Sequence, residues 1–328
     1  MTAADGQHSS GAVTRIGRAG QPLVLEQFSS DRADDVARAF NEATAAHPYC
    51  ATLTAETVRD RLCAPSYFDP AALLIAYRGG RPVGYAHGAF GPPRDGETAV
   101  NHAVGNVRGL FFPPEDVEAG RVLLDELLAY FMSQGATDVQ GWGSFAGYPF
   151  YRGLYLGTEP VAAASHAHAI VRLVQAGFGV NQFSIFLTCP LADPPPSSPA
   201  ALPVELAVAP LRPPSAWEAE TWLGLEPLQA TAWRGDARVG QITWALLPDL
   251  LAKRGQLVGS IASLSVAEGY RRQGIAAALV AEAMRRCHDA GAREMAVATT
   301  QENTAALYTY YAHGFVEREI LLGHALRR

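Results

Sequence analysis

One stretch constrains the fold of this chain more than any other: an apolar segment at 261–266, followed by a glycine-containing segment at 270–279. Leu264 and Val266 lie on one face of the predicted strand, because strand side chains alternate with a period of two. Apolar residues then recur at helical spacing: Ile275, Leu279, Ala283 and Cys287. This spacing predicts an amphipathic helix that packs on a sheet and ends near Gly291.

The loop between this strand and helix suits an anion. The first N–H groups of a helix have no partner within the helix and lie at the positive end of its dipole. Gly274 lets a bulky phosphate approach the backbone and Ala276 leaves the next position open, while Arg271 and Arg272 add positive charge. Neither the Gly-Lys-Ser/Thr of a Walker loop nor the three-glycine dinucleotide motif is present. The sequence therefore predicts a phosphate-binding loop of another kind.

Two signatures at the expected spacing point to a family. The segment 264–276 reads Leu-x-Val and then Arg-x-x-Gly-x-Ala, and it resembles the acyl-CoA pyrophosphate loop of the GCN5-related N-acetyltransferase (GNAT) family. The segment 303–315 reads Asn-x-x-Ala-x-x-x-Tyr-x-x-x-Gly-Phe and matches that family's second signature. Either alone is weak, but together they are specific and outweigh an ordinary strand-to-helix turn. The resemblance implies these acyl-CoA-binding residues: Leu264, Val266, Arg271, Arg272, Gln273, Gly274, Ile275, Ala276 and Asn303.

The resemblance implies transfer of an acetyl group from acetyl-CoA to a primary amine of a small molecule, by direct attack in a ternary complex. An alkyl amine has a reference pKa of about 10.4 and a thiol one of about 8.5, so the amine must lose a proton and the leaving thiolate benefits from gaining one. The family spacing places Tyr310 to protonate the CoA sulfur, with Tyr311 as the second choice; packing in the core is the alternative role for Tyr310. Asn303 would bond the pantetheine arm or the fifth-strand backbone, and backbone N–H groups near Val266 would bind the oxyanion.

The general base is not indicated by the sequence. Many members of the family carry a Glu on the fourth strand near the position of Ser263, but the segment 261–266 contains no carboxylate. Glu302, Glu226 or a chain of water molecules all stay open as proton acceptors.

The resemblance extends to a duplication. With 328 residues the chain exceeds one ordinary domain. The order strand, two helices, hairpin begins at Leu23, and a second, similar half follows a proline-rich spacer. We predict a disordered tail at 1–22, a degenerate GNAT-like domain at 23–192, a linker at 193–203 and an acyl-CoA-binding GNAT domain at 204–328. The fold class is therefore α/β, with two tandem GNAT-type domains, each a mixed, mostly antiparallel twisted sheet flanked by helices.

The first half departs from the family pattern at its own loop. Val117 falls where the second half has Arg271, and Leu173 falls at the tyrosine position. Three carboxylates add negative charge where a pyrophosphate would lie, namely Glu115, Asp116 and Glu118. Like charges oppose anion binding, so we expect acyl-CoA chemistry to be lost here. His166 and His168 have no evident third ligand, and we assign no metal.

The second half is shortened between its first strand and its hairpin, where only the segment 210–228 remains. In the family this region covers the acceptor pocket. A shorter version leaves the pocket more open or lets the first half form one wall. Trp217 and Trp222 lie in this segment, either at the pocket or in simple packing.

Composition limits the partners. The formal net charge is −6 without a basic run, which argues against nucleic acid and mildly favours a cationic acceptor. No segment has the length of a membrane helix and no signal peptide is indicated. Four cysteines without a Cys-x-x-Cys pair indicate free thiols in a reducing compartment, so we expect a cytoplasmic protein. We also expect a monomer or homodimer. A non-catalytic acyl-CoA sensor or scaffold, and a protein N-acetyltransferase, are the alternative functions.

Overall fold

The computed structural model describes residues 13–15, 21–93, 99–142, 150–191 and 203–326. Nearly all of the predicted linker 193–203 lies outside these ranges, as does most of the predicted tail 1–22. Within that tail, however, Val13–Arg15 forms a strand that pairs with Leu23, Val24 and Leu25. The prediction of a wholly disordered tail is wrong at these three residues, because backbone pairing to a free sheet edge needs no apolar pattern.

The described strands, in chain order, are β1 (Val13–Arg15), β2 (Leu23–Gln27), β3 (Leu73–Arg78), β4 (Arg81–Gly91), β5 (Asn101–Phe111), β6 (Asp138–Gly141), β7 (Ala162–Ala163), β8 (Phe178–Pro190), β9 (Glu205–Pro210), β10 (Leu228–Arg234), β11 (Ala237–Leu247), β12 (Val258–Val266), β13 (Glu294–Thr300) and β14 (Val316–Leu326). The described helices are α1 (Ala33–Ala43), α2 (Ala55–Thr57), α3 (Val117–Ser133), α4 (Ala167–Gln175), α5 (Ala216–Glu220), α6 (Leu251–Arg254), α7 (Ile275–Asp289) and α8 (Thr304–Ala312).

Each half begins as the sequence predicts. Phe40 and Val36 of α1 are buried against the first half's sheet. Thr54 caps the next helical segment by accepting a hydrogen bond from the Thr57 backbone N–H, and a π-helical turn at 58–63 continues it. Both predicted hairpins form, β3 with β4 and β10 with β11. None of the described helices is long and apolar enough to cross a membrane.

The described strands form one 14-stranded sheet, in the order β1-β2-β3-β4-β5-β6-β14-β8-β13-β12-β11-β10-β9, with β7 paired to β14 beside this path. Two of the described pairs are parallel, β5 with β6 and β12 with β13, and the others are antiparallel. The predicted fold class, a mixed and mostly antiparallel sheet flanked by helices, is confirmed.

The two halves exchange their last strands. β8 ends the first half, yet it pairs with β13 of the second half. β14 ends the second half and pairs with β6 of the first half. β8 and β14 also pair with each other, from Val316 opposite Thr188 to Leu326 opposite Phe178. Each half therefore depends on the other for a strand, and the two predicted domains share one sheet.

A buried polar cluster joins the halves behind the exchanged strands. Glu294 at the start of β13 accepts hydrogen bonds from Tyr49 of the first half at 2.6 Å and from Arg254 at 2.6 Å. Burial alone would raise the pKa of Glu294, but these hydrogen bonds outweigh it and the pKa is lowered. The hydrophobic cores are shared in the same way, since Leu187 packs among second-half residues and Val258 packs among first-half residues.

Candidate functional site

The site is built where two parallel strands of the second half separate. β12 and β13 pair only from Val258 opposite Glu294 to Ile261 opposite Val297. Beyond this point the end of β13 pairs with β8 alone. On its other side β12 carries a bulge at Ala262, where the register with β11 shifts. Backbone N–H and C=O groups on the β13 side of 262–266 thus have no strand partner, and apart from the Val266 carbonyl oxygen they are available to a ligand.

The loop after β12 turns sharply into α7. Arg272 has φ 59° and Gly274 has φ 78°, so both adopt the left-handed conformation. The Arg271 side chain donates from Nε to the carbonyl oxygen of Val266 at 3.1 Å and holds the loop back on the strand. Because Gly274 has no side chain, no side chain caps α7, and the first N–H groups of the helix stay open to an anion.

A cleft of about 1010 Å³ lies between this loop and α8. Eight of the nine predicted acyl-CoA-binding residues line it: Leu264, Val266, Arg271, Arg272, Gly274, Ile275, Ala276 and Asn303. Gln273 does not, since its side chain donates to the carbonyl oxygen of Gly269 at 3.3 Å and supports the loop instead. The structure therefore joins the two signatures, about 30 residues apart in sequence, around one cavity.

Asn303 has a role that the sequence analysis did not assign. Its side-chain oxygen accepts a hydrogen bond from the Ala306 backbone N–H at 3.3 Å and caps α8. This capping places Ala306 and Thr309 on the wall of the cleft. Asn303 thus holds the second signature in position in addition to lining the cleft.

Tyr310 and Tyr311 point to different sides of α8. Tyr310 is 3% exposed, packs on Phe315 with ring centroids 5.5 Å apart, and is not among the lining residues. Burial raises the pKa of its phenol, so the group keeps its proton near neutral pH. Tyr311 is 40% exposed and its hydroxyl donates to Glu317 at 2.5 Å, away from the cleft. Tyr310 stays the predicted proton donor, one helical turn from the lining residue Ala306.

The two carboxylates that the sequence left open as general bases, Glu226 and Glu302, are exposed. The sequence did not indicate a third carboxylate, that of Glu159. Glu159 belongs to the first half, but its neighbour Thr158 donates a hydrogen bond from Oγ1 to the carbonyl oxygen of Ile261 at 3.0 Å. No pattern in the sequence marks a contact between residues 103 positions apart.

The equivalent helix of the first half is closed to an anion. The carboxylate of Asp116 accepts from the Ala119 backbone N–H at 3.1 Å and caps α3, while Arg78 pairs with the same carboxylate at 2.7 Å. A Cβ on Gly120 would lie 2.4 Å from the Phe112 ring, so this ring fills the space. Burial opposes ionisation of Asp116, but Arg78 and the Ala119 N–H hold its pKa below the ordinary value.

The space where β5 and β6 separate is also occupied. The Trp142 backbone N–H donates to the carbonyl oxygen of Val107 at 2.7 Å, and its buried ring lies 5.0 Å from that of Phe111. His166 and His168 have other partners, the Tyr155 hydroxyl at 2.7 Å and the Phe112 carbonyl oxygen at 2.9 Å. Within the described ranges, no three His, Cys, Asp or Glu side chains are grouped as a metal site would require.

Comparisons with known proteins agree with this geometry. Residues 201–315 match the acetyltransferase (GNAT) family model. A GCN5-related N-acetyltransferase from Sphaerobacter thermophilus has a similar fold, with TM-score 0.63 and 18% identity over 92% of this chain and 95% of that one. A tandem GNAT protein from the clavulanic acid biosynthesis pathway gives TM-score 0.64 and 14% identity over 92% and 98%.

A glucosamine N-acetyltransferase region of a fungal multi-domain β-N-acetylglucosaminidase gives TM-score 0.63 and 17% identity over 94% of this chain and 38% of that one. No curated protein matches the sequence significantly. At these identities the solved structures establish the fold, and the family model establishes the relationship of residues 201–315. Residues 201–315 therefore match the GNAT family, and the described chain as a whole has a fold similar to those of solved GNAT and tandem GNAT proteins.

Proposed function

We propose that the second half transfers an acetyl group from acetyl-CoA to a primary amine of a small molecule. The observation that carries this proposal is the cleft at the open N-terminus of α7, lined by both signatures and by two arginines. The pyrophosphate lies against the backbone N–H groups of α7, and the pantetheine arm enters between β12 and β13. The thioester carbonyl reaches the unpaired backbone of 262–266, where an N–H group binds the developing oxyanion.

The amine attacks the thioester carbon, the C–S bond breaks, and the thiolate takes a proton from the Tyr310 phenol. Four free cysteines, three of them buried, support the cytoplasm as the place of this reaction. We expect the protein to act as a monomer or homodimer on a small molecule, without nucleic acid, membrane or metal.

Calorimetric titration with acetyl-CoA tests the first step. The expected result is one site per chain, which the Gly274→Glu variant loses because a bulky anion then occupies the phosphate position. Release of free thiol from acetyl-CoA, measured with a panel of primary amines, tests the second step. Two sites per chain would show that the first half also binds acyl-CoA, and no binding would contradict the proposal.

A second function, a non-catalytic acyl-CoA sensor or scaffold, is favoured by one observation: Tyr310 is not among the residues that line the cleft. This function predicts acetyl-CoA binding without thiol release for any amine. A protein N-acetyltransferase would instead release thiol only with peptides that carry a free N-terminus. The same assay with both acceptor classes separates the three functions.

A further inference from the structure

We propose that Glu159, a residue of the first half, binds the ammonium group of the acceptor and takes its proton for the transfer reaction of the second half. This inference rests on the proposed function. It places the general base, which the sequence does not indicate, on the face of β12 opposite the acyl-CoA cleft. The first half is then a part of the reaction site.

The two faces of β12 meet different partners. Ile261 packs in the core that contains Leu279 of α7, on the side of the cleft. Ser260 points the other way, where its hydroxyl lies 3.2 Å from Thr158 Oγ1. A Cβ on Gly157 would be only 3.1 Å from the Ser260 hydroxyl, so the first-half backbone lies directly on this face. Since the acyl donor takes the cleft side, the acceptor approaches from the first-half side, beyond this contact.

Thr158 anchors the first-half loop at the point where the strands separate. Its hydroxyl donates to the carbonyl oxygen of Ile261, which is the last residue of β12 that pairs with β13. Glu159 is the next residue, and consecutive Cα atoms are about 3.8 Å apart. The Glu159 backbone is thus held beside the point where β12 and β13 separate, and its carboxylate extends toward Arg152.

The surroundings of Glu159 suit a proton acceptor. Its side chain keeps 21% of its surface exposed and lies 3.7 Å from the guanidinium of Arg152. Burial raises the pKa of Glu159 above the ordinary value, while Arg152 and Arg108 of β5 partly oppose this rise. A carboxylate with a raised pKa that still reaches solvent can receive a proton and pass it on.

Arg152 is fixed between the halves. Its guanidinium lies 4.1 Å from the ring centroid of Trp222, and Glu218 of α5 adds a negative charge nearby. The Arg61 guanidinium donates to the Arg152 carbonyl oxygen at 2.9 Å and pairs with Asp249 of the second half at 2.5 Å. Groups from both halves therefore set the position of the arginine that faces Glu159.

The step balances in protons and bonds. The acceptor R–NH₃⁺ gives one proton to the Glu159 carboxylate and becomes R–NH₂. The amine nitrogen forms a bond to the acetyl carbon, the C–S bond breaks, and Tyr310 supplies a proton to the thiolate. The second amine proton restores the phenol through solvent, and the protonated Glu159 releases its proton to bulk water.

The test compares Glu159→Gln with the wild-type protein. Two kinds of acceptor are offered with acetyl-CoA: alkyl amines, diamines and lysine, which are ammonium ions at pH 7, and hydroxylamine, which is already neutral. We expect Glu159→Gln to lower kcat/KM for the best ammonium acceptor by about 100-fold at pH 7. We expect hydroxylamine to be used within about twofold of wild type, and the loss with amines to shrink as pH approaches 10.

Controls separate this role from a structural one. Glu226→Gln and Glu302→Gln, at exposed carboxylates, keep wild-type rates. The acetyl-CoA affinity of Glu159→Gln, measured by calorimetry, stays unchanged and shows that the variant is folded. An equal loss for both acceptor types at every pH, or no loss at all, overturns the inference. The inference is also overturned if the wild-type protein binds acetyl-CoA but acetylates none of the ammonium acceptors. If the wild-type protein does not bind acetyl-CoA, the proposed function itself is overturned.

Discussion

The hydroxyl of Thr158 donates a 3.0 Å hydrogen bond to the carbonyl oxygen of Ile261, and so ties the first half to the residue at which β12 leaves β13. Ile261 O is on a strand edge that has no further partner beyond this point. A hydrogen bond between the halves therefore lies at the point where the two strands separate.

Thr158→Val tests this contact with little change in shape. The variant leaves a buried carbonyl oxygen without its donor, and we expect a loss of about 1–3 kcal/mol in the free energy of unfolding. Turnover falls more than acetyl-CoA affinity does. Thr137→Val is the matched control, because the Thr137 hydroxyl also donates to a carbonyl oxygen but is exposed. Equal stability of the two variants in urea would contradict this prediction.

Gly274→Ala tests whether acetyl-CoA binding depends on the left-handed backbone conformation at this position or only on the space beside it. Gly274 has φ 78°, which costs a residue with a side chain about 1–2 kcal/mol. We expect the variant to bind acetyl-CoA at least tenfold more weakly, since relief of the strain moves the first N–H groups of α7. Gly269→Ala, in the same cleft, has no atom within 4 Å of the added Cβ and should bind normally. Calorimetry measures the acetyl-CoA affinity of both variants. Similar affinities would contradict the prediction that binding depends on the left-handed backbone conformation at Gly274.

Tyr310→Phe should keep acetyl-CoA affinity and lower kcat, on the order of 10²-fold for loss of a general acid. The ring still packs on Phe315, so the fold is retained. Tyr311→Phe loses only an exposed hydrogen bond to Glu317 and should keep its turnover. Release of free thiol from acetyl-CoA, sampled at fixed times, measures the turnover of both variants. Full activity of the Tyr310 variant would remove the proton-donor assignment.

Acid should destabilise the first half through two buried histidines. Burial lowers the pKa of His87 to about 3, with Arg108 contributing, and burial lowers that of His166 to about 3. The unfolded chain binds these protons near pH 6.5. Their contribution to stability is therefore complete above about pH 6.5 and declines as pH falls toward the folded pKa values, by about 1.4 kcal/mol per pH unit for each histidine.

Urea unfolding at several pH values between 6.5 and 5 checks this slope. His166→Gln should reduce the slope of unfolding free energy against pH by the contribution of one histidine, about 1.4 kcal/mol per pH unit. His102→Gln, at an exposed histidine on β5, should leave it unchanged. A wild-type stability that does not vary over this range would show that the two imidazoles are not buried in solution.

The exchange of strands predicts that neither half folds alone. A chain ending at Phe315 lacks β14, and it leaves the edges of β6 and β8 without their partner. We expect this truncated protein to aggregate or to lose its cooperative thermal transition. Fragments 21–191 and 203–328 produced together should associate and recover the transition. A monomeric truncated protein with a sharp transition would contradict the exchange.

Local spacing in the sequence determined much of the second half. The alternation of Leu264 and Val266, the glycine at 274 and the tyrosine at 310 each reflect a constraint within one strand, loop or helix. Such constraints act between neighbours in the chain, and the family resemblance that these motifs carry implied the class of the fold and eight of the residues that line the cleft.

Only the tertiary structure decided which strands lie side by side and which residues face the acceptor. The pairing of β8 with β13 and of β14 with β6 uses backbone hydrogen bonds, and these are the same for any residues. Thr158 reaches Ile261 because the first half folds over the second, across 103 positions of chain. No periodic pattern encodes such a contact, since it depends on how two complete sheets share an edge.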